Sequence, residues 1–219
     1  MNRLLRDRRE AGVLLAGMLK KYESLSDTLV FALPRGGVPV AFEVSRALKL
    51  PLDVFMVRKL GAPGNPELAI GAIAFGGVTV LNDDIVNWLN ISEAEIRKVT
   101  EIESLELNRR LHLYRKGSHQ VIVKDKTIII IDDGLATGAS MKSALKALRK
   151  LGAKKIIAAV PVAPASTCDE LSETADEVIC YMAPDNFSSV GEWYEDFTQT
   201  TDEEVRQLLV ESEEYLKQF

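Results

Sequence analysis

An α/β architecture built on a doubly wound, mainly parallel sheet is the fold class this sequence predicts, and three observations predict it. Residues 127–131 (TIIII) are β-branched without polar alternation, the pattern of a strand covered on both faces. Strand-like and helix-like segments alternate on both sides of that run, the rhythm of βαβ units with right-handed crossovers. Two loops of mostly small residues, PRGG at 34–37 and DDGLATGAS at 132–140, each stand between a strand and a helix.

The elements follow in order. Arg3, Arg6, Arg8 and Arg9 precede the apolar run 11–19, but Asp7 and Glu10 interrupt it, Lys20 and Lys21 follow, and no small-residue cleavage site appears. An amphipathic helix is expected there instead of a targeting segment, with Leu5, Val13 or Gly12, Leu15, Ala16 and Leu19 on one face. A strand at 28–33, a helix at 40–48 and a strand at 52–58 make the first βαβ unit. Residues 59–82 break the rhythm: KLGAPGNPE reads as a loop, and LAIGAIA and GVTVL read as an antiparallel hairpin or flap. Residues 83–116 turn helical, with a capping box at Ser92 and Glu95 and a staple between Ile91 and Ile96. Leu105, Leu107, Leu111 and Leu113 lie there among many charges, as in a solvated helix with one packed face. Alternation returns with strand 127–131, helix 139–151, strand 155–162, helix 165–173 and strand 176–181, Gly152 stopping the first of these helices. A last helix is expected from about Asp202, with Thr201 and Glu204 as a second box.

At 219 residues, 47% hydrophobic and 27% charged, the chain has ample length for one large domain. A single domain is expected over 1–219, with a core at about 24–181, the flap at 59–82, a helical insertion at 83–116 and a C-terminal hood at 182–219. A net charge of −5 argues against a nucleic-acid footprint. No run reaches 18 apolar residues, so no membrane partner is expected and a cytoplasmic setting is. Cys168 and Cys180 lie in no metal or redox spacing and are expected as unpaired core or near-surface residues in a reducing compartment. His112 and His119 have no companion ligands nearby in sequence and read as surface residues.

The chemistry concentrates in residues 132–140. Asp132 and Asp133 end a buried strand, and Gly134 to Ser140 lets backbone N–H groups approach a ligand at a helix start, which suits an anion. Two carboxylates beside that cradle would repel a bare phosphate, so the ligand should also carry hydroxyls, a metal, or both. A phosphorylated sugar fits. No Gly-Lys-Ser/Thr and no GxGxxG is present here, which excludes a Walker loop and a dinucleotide fingerprint.

The run IIIIDDGLATGAS resembles the PRPP-binding signature of type I phosphoribosyltransferases, a hydrophobic strand, two acidic residues and a short loop ending T-G-x-[ST]. That resemblance implies that Asp132 and Asp133 hold the ribose hydroxyls, that Ala136, Thr137, Gly138, Ala139 and Ser140 wrap the 5′-phosphate, and that Gly134 is a further substrate-binding residue. It implies a pyrophosphate loop at Arg35, Gly36 and Gly37, and positive charge near the leaving group from Arg58 and Lys59. Related families carry a further lysine deeper in the following loop, where this chain has Gly61, Ala62 and Gly64. Closure would then fall to other residues or to a neighbouring subunit, which leaves room for a homo-oligomer. Glu67 in that loop reads as solvent-exposed. Phe187, ahead of Val190 and Gly191, stands where hypoxanthine-type enzymes stack a base, while Trp193, Tyr194 and Phe197 read better as anchors of the tail.

The reaction so implied is displacement at C1 of PRPP by a nitrogen of a nucleobase or similar small acceptor, with pyrophosphate leaving. Mg²⁺ is the expected cofactor, held mainly by PRPP and water with Asp132 and Asp133 nearby. Ala136 stands where 6-oxopurine enzymes carry an aspartate, which argues against hypoxanthine or guanine without establishing adenine. The alternatives are a non-catalytic PRPP sensor and a scaffold that has lost its chemistry; the intact Asp132, Asp133, Thr137 and Ser140 weigh against the latter.

Overall fold

The computed structural model describes residues 4–115 and 121–218. The expectation for His119 lies outside the described residues. In chain order the elements are α1 (Arg8–Met18), β1 (Thr28–Ala32), α2 (Gly37–Leu48), β2 (Leu52–Val54), β3 (Val57–Ala62), β4 (Asn65–Ala74), β5 (Val78–Leu81), α3 (Asp83–Trp88), α4 (Glu93–Tyr114), β6 (Thr127–Ile131), α5 (Ala139–Lys150), β7 (Lys155–Val162), α6 (Ala165–Leu171), β8 (Glu177–Met182) and α7 (Asp202–Leu216).

Five strands form a wholly parallel sheet in the order β2-β1-β6-β7-β8. From β1 the chain crosses through α2 to the left, and from β6 it crosses through α5 and α6 to the right. Right-handed crossovers in opposite directions put α2 on one face and α5 and α6 on the other. The predicted doubly wound sheet is therefore present, and its direction reverses between β1 and β6. Ile128 to Ile131 of β6 are completely buried, which is why their sequence shows no alternation. Each such side chain contributes roughly 1.5–3 kcal/mol of burial.

Helix α1 packs on α2 through Gly12, where a Cβ would stand 2.4 Å from the Val40 carbonyl oxygen. Gly12, Leu15, Ala16 and Leu19 face inward as expected, whereas Val13 is exposed. Leu5 lies outside the helix and forms a parallel bridge to Tyr194. Helix α2 begins three residues before the predicted start, because Gly36 and Gly37 already turn into its first turn.

The predicted strand 52–58 is two strands. Phe55 donates its N–H to the Ala32 carbonyl oxygen at the end of the parallel pairing, and the chain then leaves for a separate antiparallel sheet, β3-β4-β5. KLGAPGNPE is therefore not a loop: it is two paired strands joined by a tight Pro63–Gly64 turn, with Gly64 at φ +78°. In α4 the capping box of Ser92 and Glu95 forms in both directions. Leu107 and Leu111 are buried while Leu105 and Leu113 are exposed, the single packed face expected. Thr201 caps α7 by accepting from the Glu204 N–H.

Cys168 on α6 and Cys180 on β8 form a disulfide, which corrects the expectation of two unpaired cysteines. A helix that lies back against the strand following it brings residues 12 apart in sequence side by side, and spacing carries no trace of that. Cys168→Ser is expected to lower the unfolding free energy by about 2–3 kcal/mol. Calorimetry of oxidised and reduced protein checks this; identical melting of the two would refute it. Among the described residues no helix is long and apolar enough to cross a membrane.

Candidate functional site

The point where an open α/β sheet reverses direction leaves a crevice at the carboxyl ends of its strands. Here that crevice lies between the ends of β1 and β6, and it brings together the two small-residue loops that stand 97 positions apart in sequence, at Arg35 and Asp132. The contact is close. A Cβ on Gly36 would stand 1.9 Å from Asp133 Oδ2, and one on Gly37 would stand 2.8 Å from the Ile131 carbonyl oxygen and 3.0 Å from Asp132 Cα. The glycines of the first loop are thus required by the carboxylates of the second. Gly36→Ala is expected to displace Asp133 and to weaken binding of a sugar phosphate at least tenfold, measured by titration calorimetry with ribose 5-phosphate; unchanged affinity would argue against the shared site.

Electrostatics at this junction are set by three side chains. Asp132 Oδ1 accepts the Asp133 backbone N–H at 2.9 Å. Burial, and after it the charge of Asp133, hold the Asp132 carboxyl well above the usual carboxylate range. Arg8 Nε donates to Asp133 Oδ2 at 2.8 Å and Arg8 Nη1 donates to the Thr198 carbonyl oxygen at 2.7 Å, with the guanidinium 4.0 Å from the centre of the Phe197 ring. One arginine from the first helix therefore offsets the charge of the carboxylate pair.

The loop after Asp133 is held from its far side. Gly134 lies against Val190 and Val162, close enough that a Cβ would come within 2.5 Å of a Val190 methyl. Thr167 on α6 donates its hydroxyl to the Ala136 carbonyl oxygen at 2.9 Å. Gly138 takes φ +65° and starts α5 with no side chain capping it, while Ala136, Thr137, Ala139 and Ser140 surround it. Elsewhere Asp7, Asn82, Ser92 and Thr201 cap α1, α3, α4 and α7. The helices α2, α5 and α6, which follow β1, β6 and β7, have no side-chain cap among the described residues. In α2 the Gly37 and Val38 amides donate to the Leu33 and Arg35 carbonyl oxygens, and in α5 the Ala139 amide reaches Thr137 Oγ1 at 3.5 Å, so the amides that follow Ala139 at the start of α5 are those that suit an anionic ligand.

The family model for a phosphoribosyl transferase domain matches residues 9–197, spanning both loops and the sheet between them. The chain belongs to the phosphoribosyl transferase family. Two Mycobacterium tuberculosis proteins, from strains CDC 1551/Oshkosh and H37Rv and each named "Putative phosphoribosyl transferase", are 44% identical to it over 203 residues, or 93% of this chain. The chain spans 46% of their length, about half of those relatives. The crystal structure of TT1426 from Thermus thermophilus is 40% identical, covers 95% of this chain and 98% of its own, and superposes with a TM-score of 0.84.

Within this phosphoribosyl transferase fold, the other predicted residues fall as follows. Arg35 belongs to the loop that meets the carboxylates, but its guanidinium points to Asp202 at 3.7 Å. Arg58 and Lys59 both lie in β3, a strand that runs on through Lys59 where the sequence predicts the start of a loop. Arg58 pairs with Glu103 of α4 at 2.5 Å and Lys59 pairs with the exposed Glu67 at 3.4 Å, so both are directed to partners other than Asp132 and Asp133. Phe187 stacks on Trp193, ring centroids 6.4 Å apart and nearly parallel. Tyr194 is an anchor, as read from the sequence, yet its anchor point is the site itself: its hydroxyl donates to the Asp133 carbonyl oxygen at 2.6 Å. Burial pushes that phenol well above its usual range. His112 is exposed and its Nδ1 lies 2.7 Å from the Asn108 carbonyl oxygen. Sequence reasoning missed Arg8, Thr167 and the contact of Tyr194 with Asp133. The only signal for Arg8 was the arginine-rich start, which local pattern could not distinguish from solvated charge.

Proposed function

We propose that this chain transfers the 5-phosphoribosyl group of PRPP to a nitrogen of a nucleobase or a similar small acceptor, releasing pyrophosphate. One observation supports this reading beyond the family: the glycine loop of β1 and the carboxylate loop of β6 meet at Gly36 and Asp133, at the switch point of the sheet. Asp132 and Asp133 are the groups to hold the ribose hydroxyls, and the amides of 136–140 at the start of α5 are those to hold the 5′-phosphate. Gly36 and Gly37 at the start of α2 are the groups to approach the pyrophosphate.

In this reading the acceptor nitrogen attacks C1 with its lone pair, the bond from C1 to the pyrophosphate oxygen breaks with its electron pair leaving on pyrophosphate, and the nitrogen gives up its proton. Positive charge develops on the ring, which the carboxylate pair favours. Asp132 and Asp133 supply hard oxygen donors that fit Mg²⁺, and no group of three or more possible metal-ligating residues lies among the described residues, so phosphate oxygens and water would complete such a site. Mg²⁺ bound there supplies neutralisation of the leaving pyrophosphate. The hood residue Val190 packs against Gly134 at the start of the loop, and Phe187, three positions before it and stacked on Trp193, is the residue we assign to the acceptor base.

Pyrophosphate release from PRPP and Mg²⁺, assayed with a pool of nucleobases and simple amines, tests the proposal. Release dependent on an acceptor is the expected result. PRPP binding without release under any acceptor would move the reading to a PRPP sensor, and no PRPP binding at millimolar Mg²⁺ would end both.

A further inference from the structure

Helix α6 lies along the loop that follows Asp133, and two consecutive residues at its middle face different structures. Thr167, only 5% exposed, donates its hydroxyl to the Ala136 carbonyl oxygen at 2.9 Å. Its methyl carbon fills the space beside Gly138, where a Cβ would stand 2.9 Å from it. One turn later Glu170 pairs with Lys142 in the first turn of α5. Ala136 and Thr137 are exposed, and among the described residues no other element hydrogen-bonds to 136–138. Cys168, the neighbour of Thr167, is bonded instead to Cys180 of β8.

Helix α6 has little else to hold it in place. It has 7 residues, well below the length of about 12–15 at which a helix persists on its own, and Pro164 before it supplies no side-chain cap. Its buried residues are Thr167, against the loop, and Leu171, in the core. The disulfide is thus the tie between the middle of α6 and the sheet. Strand β8 is the outermost strand of that sheet and both cysteines are half-buried, which leaves the bond within reach of a small thiol.

Building on the proposed transfer, we infer that Thr167 is a positioning residue for the loop that holds the 5′-phosphate, and that the Cys168–Cys180 disulfide is a dithiol-sensitive site that keeps Thr167 in place. A thiolate of the dithiol attacks one cysteine sulfur, and the Cys168–Cys180 bond breaks with its electron pair leaving on the other. The second thiol of the reductant then resolves the mixed disulfide. Two electrons and two protons pass to the cysteines, which become thiols, and the reductant becomes a disulfide. Helix α6 is then anchored at its end by Leu171 but no longer at its middle, so the Thr167 hydroxyl loses its fixed distance to Ala136 and phosphate affinity falls.

Calorimetric titration with ribose 5-phosphate and, separately, inorganic pyrophosphate, both with Mg²⁺, tests this on air-oxidised protein and on protein reduced with dithiothreitol. Reduction is expected to weaken ribose 5-phosphate binding about fivefold and to leave pyrophosphate binding unchanged. Oxidised Thr167→Val, which keeps the shape and removes the donor, should show the same loss, and Thr167→Ser should recover most of it. Reduction should add little to Thr167→Val, because the disulfide acts through that hydroxyl. Several results would overturn the inference while leaving the proposed transfer standing: unchanged ribose 5-phosphate affinity on reduction, a Thr167→Val variant that responds to reduction as the wild type does, or two titratable thiols in the air-oxidised protein. Equal loss of both ligands on reduction would overturn it as well, since a general loosening of the fold produces that. Failure of the oxidised wild type to bind either ligand would overturn both.

Discussion

Replacing both Asp132 and Asp133 with asparagine is expected to reduce acceptor-dependent pyrophosphate release by roughly 10³-fold or more, because the paired charge that favours a cationic ring is removed while the shape of the site is kept. The change at Asp132 should act on stability in the opposite sense. Burial and the neighbouring Asp133 charge raise the Asp132 pKa, so the folded chain prefers that carboxyl protonated. Its contribution to stability is complete below the ordinary carboxylate range and is lost as pH rises through the raised value. At neutral pH, Asp132→Asn alone should therefore melt a few degrees above the wild type while being nearly inactive. Wild-type activity should fall on the acid side at a pH above the ordinary carboxylate range. A pH–rate profile and a melting curve for the single variant check both halves. An asparagine variant that is active, or one that melts lower at pH 7 than the wild type, would contradict this account.

Arg8→Met carries the second large effect. The Arg8 and Asp133 side chains are 11% and 15% exposed, so removing the guanidinium leaves a nearly buried carboxylate without its cation, at a cost of about 3 kcal/mol. Asp133 would also lose the contact that aims it, since Arg8 is itself fixed by the Thr198 carbonyl oxygen and the Phe197 ring. A fall of about 10²-fold in kcat/KM for PRPP is expected from misplacing a binding group by a fraction of its length. Arg8 also draws the Asp132 pKa down, so the acid limb of the variant should move to higher pH. Arg8→Lys retains the charge but not the second N–H, and should recover part of the activity. Normal PRPP kinetics in Arg8→Met, whatever its melting point, would show that Arg8 only supports the fold.

Asp132 and Asp133 are legible in the sequence because everything that gives them meaning is local: the buried strand before them, the small loop after them and the helix start at Ala139 are consecutive. Arg8 lies 125 positions from its partner, and an arginine near the start of an amphipathic helix has the same sequence signature whether it meets solvent or a buried carboxylate. The β3 residues make the same point in reverse. Arg58 and Lys59 follow a strand-like run that reads as continuous, yet the chain changes sheets at Phe55 and Met56, and alternation along β3 sends one side chain to α4 and the other to Glu67.

The parallel sheet, the order of helices and strands in the second half of the chain, the capping of α4 and the loop that ends in Ser140 were all written in the linear chain, because periodicity, caps and small-residue turns act between neighbours. Folding in three dimensions was needed to show that Gly36 closes on Asp133, that Arg8 balances the carboxylates, that Tyr194 ties the hood to the carboxylate loop, and that Cys168 meets Cys180. Those contacts depend on which way each crossover turns and how closely its glycines let the backbones approach, and they join residues whose local patterns are indifferent to one another.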